Sequence, residues 1–341
     1  MEPNKTFNSI KALPLFISSF NNAYIKLKNN ENDFSIIFNN NEMKINDPNL
    51  ISLSNNLFNN INDLNELLNN IEQSITKIKA FEEIVNNGLS RFDDNKFLSL
   101  FNEWVQTHNH FWDKSIIPEI AIIGGNNLLI DKLKDFKNKD EIFSKLTLPE
   151  KLNPIQNEEM EFCGIKLLED ENMQDLMLHD HAKKYYWLKN TFDSTSLLPI
   201  GYFEEELTKL NKEDAKNNMD QLGKLSDEIK KDKEKIIESN KLDNGVIDLC
   251  KKITFLNWLN DFKKKYVLIS NHINSVFAHE ISARENIEYN DLLYLTQDEI
   301  LDLLNKNELP KIEDRKKCFV INIKNNEIKK IEGEEAKDFS N

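Results

Sequence analysis

The segment 251–284 carries a long apolar stripe, and two short segments follow it. Apolar side chains recur there at spacings of three and four, which places them on one face of a helix. We therefore predict that 251–284 forms a long helix that serves as the spine of the fold. A short apolar run follows, and then Thr296 can cap a new helix while Glu299 reaches back to its first turn. The residues of the stripe are Leu256, Leu259, Phe262, Tyr266, Ile269, Ile273, Val276 and Phe277.

The low glycine and proline content favours helices over strands. The chain has 8 residues of each in a length of 341, well below ordinary usage. We predict a mainly α multi-helix bundle with two small hairpins, near 34–46 and near 318–331, where short alternating runs flank Asn-rich turns. Scarce glycine also argues against a glycine-cradled nucleotide site, so we expect no bound cofactor.

The helical pattern predicts further elements along the chain. One long helix is expected over 51–87 and another from Asp94 to Trp112. A third, over 116–136, should be broken near the Gly124-Gly125 pair. Two helix starts are predicted in close succession, at Thr147 and at Asn153, because each capping residue is followed by Glu150 or Gln156 three positions on.

The chain order suggests two regions, 1–146 and 147–341. The second would hold the spine helix, the terminal hairpin and a highly charged helical arm over 203–238. The apolar residues of this arm form only a narrow seam. That seam predicts a protruding hairpin hinged near 211–214 that binds a partner, or else helices that simply pack on a neighbour.

The charge and the apolar pattern limit the possible partners and location. A net charge of -14 argues against binding to nucleic acid or anionic lipid, since both require a basic face. No apolar run is long enough to cross a bilayer, and residues 1–7 lack the pattern of a secretory leader. The three cysteines are far apart in sequence, which suggests reduced thiols. We expect a cytoplasmic protein.

Two His-x-His pairs occur, at His108 with His110 and at His179 with His181. Metal ligands two residues apart require a strand or loop, because on a helix they point about 200° apart. Both pairs lie in helical sequence, so we expect no metal site.

His181, Tyr185 and Trp187 are the candidate binding residues of the chain. His181 and Tyr185 share a helix face, and Trp187 adds aromatic surface nearby. They could line a pocket for a planar or cationic ligand or dock a moving domain, or they could be ordinary packing residues. Arg284 is a further candidate for partner binding, although its simplest role is an ion pair with Glu280 four residues earlier.

Several segments resemble the helical central region of phosphoenolpyruvate synthase and pyruvate phosphate dikinase-like (PEP-utilising) proteins. These segments are DLLYLTQDEILDLL, ALPLFISSF, FLSLFNEWVQTHNHFW, LTLPEKLNPIQNEEMEFCGI, HAKKYYWLKNTF and IKKIEGEEAKDF. In that family, phosphotransfer requires an ATP-grasp module and a swivelling domain that carries a phosphorylated histidine. Nothing in this sequence is similar to either part, so the resemblance implies a scaffold without catalysis of its own.

Three functions follow as hypotheses. The first is a non-catalytic helical scaffold that docks a mobile phosphohistidine domain, in the same chain or in a partner that also supplies the ATP-grasp module. The alternative is a stand-alone helical binding protein that has lost phosphotransfer and uses the aromatic helix or the charged arm. The third, an enzyme with His181 and Tyr185 as an acid/base pair, is the least favoured.

Overall fold

Helices form most of the computed structural model, which describes residues 9–28, 33–306, 308–325 and 327–339. The prediction of a mainly α fold is confirmed. The helices are α1 (Pro14–Leu27), α2 (Leu50–Asn60), α3 (Leu64–Asn86), α4 (Asp94–Leu133), α5 (Lys139–Leu146), α6 (Pro154–Leu167), α7 (Glu171–Tyr185), α8 (Ile200–Lys209), α9 (Lys212–Asn240), α10 (Asn244–Glu285), α11 (Tyr289–Leu292), α12 (Gln297–Lys306), α13 (Ile312–Lys317) and α14 (Glu334–Lys337). The strands are β1 (Ile10–Lys11), β2 (Phe34–Asn39), β3 (Glu42–Asn46), β4 (Cys318–Lys324) and β5 (Glu327–Glu332).

Both predicted hairpins are present, and they join into one sheet. The first turns at Asn40 and Asn41, whose φ angles of 51° and 61° suit the tight turn that antiparallel strands require. The second turns at Asn325, while the other turn residue, Asn326, lies outside the described residues. The sheet order is β1-β3-β2-β4-β5, because β2 also pairs antiparallel with β4. That pairing between distant parts of the chain was not predicted.

The chain divides into two compact units. Unit 1 comprises Met1–Ala121, Thr191–Thr195 and Tyr266–Asn341, and unit 2 comprises Ile122–Asn190 and Ser196–Lys265. The boundary between these ranges falls within α4 and again within α10. The division of the sequence at residue 146 stays a prediction.

The spine helix is confirmed and is longer than expected, since α10 covers Asn244–Glu285. Leu256 and Leu259 are fully buried in unit 2, and Ile273 and Phe277 are fully buried in unit 1. Within the described residues, no helix combines the length and the apolar character that crossing a membrane would require.

The predicted break near Gly124-Gly125 is wrong, and so is the prediction of separate helices over 94–112 and 116–136. A single helix of 40 residues runs from Asp94 to Leu133, through Pro118 and the two glycines. Proline removes one backbone donor from the interior of a helix, at a cost of about 3 kcal/mol. Ile116, Ile120 and Ala121 are at most 1% exposed on either side of it. Their burial offsets that cost, so tertiary packing overrides the local preference.

The single helix predicted over 51–87 is also wrong. The structure has two helices there, α2 and α3, separated by residues 61–63. Asp63 accepts hydrogen bonds from the backbone N–H groups of Asn65 and Glu66, at 2.8 and 3.0 Å. This N-cap satisfies donors that would otherwise be unpaired at a helix start, so it favours a new helix over continuation of the old one.

The charged arm consists of α8 and α9, and the predicted hinge lies between them. Asn211 caps α9 by accepting a hydrogen bond from the N–H of Asp214 at 2.8 Å. Helix α9 packs against α5 and α6 within unit 2. It therefore adopts the second of the two arrangements considered for the arm, in which it packs on a neighbour.

Candidate functional site

Helices α6 and α7 of unit 2 carry the residues that the sequence singled out. At the start of α6, the Asn153 side chain accepts from the N–H of Gln156, whose side chain accepts from the N–H of Asn153. This capping box confirms the helix start predicted at Asn153, whereas the one predicted at Thr147 is wrong, because Thr147 is the C-cap of α5. Asp170 caps α7 by accepting hydrogen bonds from the N–H groups of Asn172 and Met173. Near the end of α6, Gln174 of α7 donates to the carbonyl of Ile165 at 3.0 Å, which holds the two helices side by side.

The imidazole ring of His181 is enclosed between these helices. Its exposed fraction is 0%, and Nε2 lies 3.0 Å from Glu158 Oε1. The other nitrogen, Nδ1, lies 3.4 Å from Glu161 Oε1 without forming a hydrogen bond. The rings of Phe162 and Phe203 pack on the imidazole with centroids 5.2 and 5.3 Å away. A substrate cannot contact this ring in the observed conformation.

Tyr185 lies beside His181, with the ring centroids 4.6 Å apart. Its hydroxyl donates to Glu161 Oε2 at 3.2 Å, and Lys184 pairs with the same carboxylate. Burial raises the pKa of Tyr185, and the Glu161 carboxylate raises it further. Burial works to raise the pKa of Glu161 as well, but the hydrogen bond from Lys184 leaves that pKa below its usual value. A tyrosine with a raised pKa is a poor general base at neutral pH.

Trp187, the third residue of the group with His181 and Tyr185, is buried within unit 2. Its indole is 1% exposed and donates to the carbonyl of Lys184 at 2.9 Å. The ammonium of Lys265 lies 5.7 Å from the Trp187 ring centroid and 5.6 Å from that of Tyr185. The aromatic surface is thus already occupied by the protein itself.

Arg284 belongs to unit 1 and has a structural role there. It donates to Glu280 at 2.8 Å, as its spacing predicted, and also to Asp94 at 2.6 Å and to the carbonyl of Phe92 at 2.8 Å. The guanidinium lies over the ring of Phe97, 4.3 Å from its centroid. These contacts fasten the start of α4 to the end of α10. The structure therefore brings His181, Tyr185 and Trp187 together and places Arg284 elsewhere.

Replacing His181 by Ala should lower the free energy of unfolding by about 2 kcal/mol or more, since it leaves a cavity and removes the partner of Glu158. His179 offers a matched control because it lies exposed on the same helix. His179→Ala should change stability by less than about 0.5 kcal/mol. Urea unfolding of both variants provides the measurement. Equal stability of the two variants would contradict the structural role of His181.

Unit 2 also has an open groove that sequence reasoning missed. Its volume is about 440 Å³, and three parts of the chain line it: the segment 145–156, α9 from Leu225 to Asp232, and Asp261 on α10. Two of its cations already have partners. Lys145 pairs with Asp232 at 2.6 Å, and Lys151 lies over the Trp258 ring, 4.3 Å from its centroid.

Two carboxylates of the groove accept no hydrogen bond from the described part of the chain. Asp261 is half-buried in the wall, and burial raises its pKa against a weaker, opposing attraction from Lys264. Glu228 is exposed at the rim. One signal in the sequence could have indicated this site. Asp261 lies three residues after Trp258, which belongs to an aromatic stripe of α10 with Phe255 and Phe262.

Unit 1 contains a buried polar chain that we call the His108 network. Trp112 donates to His108 Nε2 at 3.1 Å, which leaves the proton of the neutral ring on Nδ1. His108 Nδ1 then donates to Ser19 Oγ at 3.0 Å, and Ser19 donates to Gln297 Oε1 at 2.6 Å. Gln297 donates to Asn274 Oδ1 at 2.8 Å.

The contact between Ser19 and His108 has the distance of a nucleophile and its base. Both side chains are fully buried, however, and the serine proton points to Gln297. Burial lowers the pKa of His108 to about 3, so the ring stays neutral. The network is therefore a structural element of unit 1. The other histidine of the pair, His110, is exposed, as expected for residues two apart on a helix.

Comparison with known proteins adds no assignment, because no family model and no curated protein matches the chain. The resemblance to PEP-utilising proteins stays a prediction. Inference about function therefore depends on the geometry of the two units.

Proposed function

We propose that the chain is a helical binding protein that holds a cationic ligand in the groove of unit 2. The observation that carries this proposal is the Asp261 carboxylate, which is half-buried in the groove and accepts no hydrogen bond from a described residue. Partial burial disfavours the charged form of this carboxylate, at a cost in free energy to the free protein. A ligand that brings an ammonium or guanidinium group to Asp261 removes that cost.

The remaining lining of the groove indicates that the ligand also has an apolar part beside its cationic group. Leu148, Pro149, Leu225 and Ile229 provide an apolar surface, and a volume of about 440 Å³ lies within the range of small-ligand sites. Because Lys145 and Lys151 are already paired, the groove offers an anion few free donors. The ligand class is thus an amine or guanidine attached to an apolar group, such as a lysine or arginine side chain between apolar residues of a peptide.

Asp261→Asn tests the proposal, with Asp227→Asn on the exposed side of α9 as the matched control. The probes are the blocked peptide acetyl-Leu-Lys-Leu-amide and spermidine, titrated by calorimetry. We expect the wild type and the control to bind at least one probe, and Asp261→Asn to bind it about tenfold more weakly, as expected for the loss of one charged contact.

The pH dependence follows from the direction of the pKa shift. Since burial raises the pKa of Asp261, the carboxylate takes up a proton at a higher pH than an ordinary aspartate, and binding should weaken as the pH falls toward that raised pKa. If neither probe binds the wild type, or if Asp261→Asn binds as tightly as the control, the groove is not a site for cations.

We also propose, from the resemblance, that a phosphohistidine domain docks on unit 2. The segment 146–165 is among those that carry the resemblance, and it supplies one wall of the groove. Capture of partners by the full chain from its native lysate, followed by mass spectrometry, tests this second function. Recovery of a protein with an ATP-grasp or phosphohistidine domain would support this function. If the Asp261→Asn variant no longer captured that protein, the docking contact would lie at the groove. Absence of such a protein among those captured would contradict it.

We also propose that the protein is cytoplasmic and does not bind nucleic acid. The three cysteines are buried and are not joined to one another by a disulfide, which suits a reducing compartment. The net charge of -14 disfavours the phosphate backbone as a ligand.

A further inference from the structure

Helix α7 has a second apolar face that points away from its neighbours. Met173, Leu176 and Met177 are 46, 57 and 39% exposed. Their spacing of three and four places them on one side of the helix, and we call this set the outer stripe. The opposite face, which includes Leu178 and Tyr185, is buried in unit 2. Helix α7 is therefore apolar on two sides but covered on one.

The surroundings of the outer stripe are acidic. From residue 167 to residue 182 the chain has five carboxylates and no lysine or arginine. Glu169, Glu171 and Asp175 are exposed and form no ion pair with a described residue. The remaining two have local partners, because Asp170 caps the helix and Asp180 pairs with Lys183 at 3.3 Å. Uncompensated negative charge thus borders exposed methionine and leucine side chains.

We propose that the outer stripe docks an amphipathic helix of a partner protein whose apolar face is flanked by lysine or arginine. Apolar residues three and four apart are the usual contact of one helix with another. Methionine side chains adapt to differently shaped partners, which is why they recur at such surfaces. The acidic border complements basic flanks and repels acidic ones.

The same charges disfavour two other occupants. Helices that lie on anionic membranes place their apolar face beside lysine and arginine, whereas this border is acidic. A second copy of the chain would bring Glu171 and Asp175 close to their own counterparts, and like charges across an interface weaken it. This surface is distinct from the groove at Asp261, so either proposal can fail without the other.

The test uses the full chain and a fluorescent leucine–lysine peptide of about four helical turns, with leucine on one face. A peptide of identical composition in scrambled order controls for charge alone. The variant Met173→Gln, Leu176→Gln, Met177→Gln removes the stripe. Its matched control, Ile130→Gln with Leu197→Gln, removes exposed apolar side chains elsewhere in unit 2. All five positions are exposed, so both variants should remain folded, which circular dichroism checks.

We expect the amphipathic peptide to bind the wild type and the control variant, and to bind the stripe variant at least about tenfold more weakly. Glu171→Lys with Asp175→Lys should also weaken binding and reduce its dependence on salt. Equal binding of the scrambled peptide, equal binding by the stripe variant, or no binding to the wild type would overturn the proposal. Stripe-dependent binding to phosphatidylserine vesicles in place of the peptide, or stripe-dependent dimerisation, would also overturn it and identify the other occupant.

Discussion

Replacing Glu299 by Gln should lower the free energy of unfolding by about 3 kcal/mol at neutral pH, because breaking a buried ion pair leaves its partner without compensation. Arg315 donates to both oxygens of Glu299, at 2.6 and 2.8 Å, and is itself almost fully buried. Lys330 of β5 adds a third bond at 2.5 Å. Glu299 also accepts from the N–H of Thr296 at 2.9 Å, as the predicted capping box requires. One side chain thus connects α12, α13 and the sheet.

The loss should depend on pH in a defined direction. Burial alone would raise the pKa of Glu299, but the hydrogen bonds from Arg315 and Lys330 lower it to about 2. A carboxyl group with a lowered pKa contributes stability that is complete above its unfolded pKa of about 4.3 and is lost as the pH falls through the folded value. The difference between the wild type and Glu299→Gln should therefore shrink between pH 4.3 and 2.

Urea unfolding at a series of pH values measures this difference. Asp302→Asn is the control, since Asp302 forms an exposed pair with Lys306 on the same helix and no other ion pair with a described residue. A pair of this kind contributes about 0.5 kcal/mol or less. A constant difference from pH 7 to pH 2 would show that the effect comes from packing instead of the charge of Glu299.

Gln297→Met should destabilise unit 1 by about 3 kcal/mol, since the variant retains the volume of the side chain but leaves buried polar groups unpaired. Ser19 would lose the acceptor of its proton, and Asn274 would lose a donor. Chemical unfolding measures the change, and Gln73→Met, at an exposed position of α3, is the matched control. A loss below about 1 kcal/mol would mean that these groups find other partners in the variant.

Local signals in the sequence predicted much of the fold. The spine helix, the hairpin turn at Asn40-Asn41 and the caps at Thr296 and Asn153 depend on residues within a few positions of each other, and all of them are confirmed. The failure near Gly124-Gly125 has the opposite cause, because packing around these buried glycines offsets the local cost of glycine in a helix. The pairing of β2 with β4 depends on register between distant segments, which alternation alone does not specify.

The sites were harder to predict than the fold. His181 and Tyr185 were correctly placed on a shared helix face, but the sequence left open whether that face was a pocket or packing. The groove requires residues from three separate segments, so no single motif could indicate it. The sequence pattern did not indicate the outer stripe, for a different reason. Leu178 and Leu176 lie on opposite sides of α7, and apolar residues on both sides cancel the pattern by which an amphipathic helix is recognised.

The pairing of β2 with β4 has a consequence for folding during synthesis. Strand β2 pairs with β3, which directly follows it in the chain, but its other neighbour, β4, is synthesised much later. All residues of unit 2 emerge between these two events. Until β4 has been made, one edge of β2 therefore lacks the backbone partner that it has in the folded protein, and such an edge can pair with other chains. The sheet of unit 1 is therefore completed only after unit 2 has been synthesised.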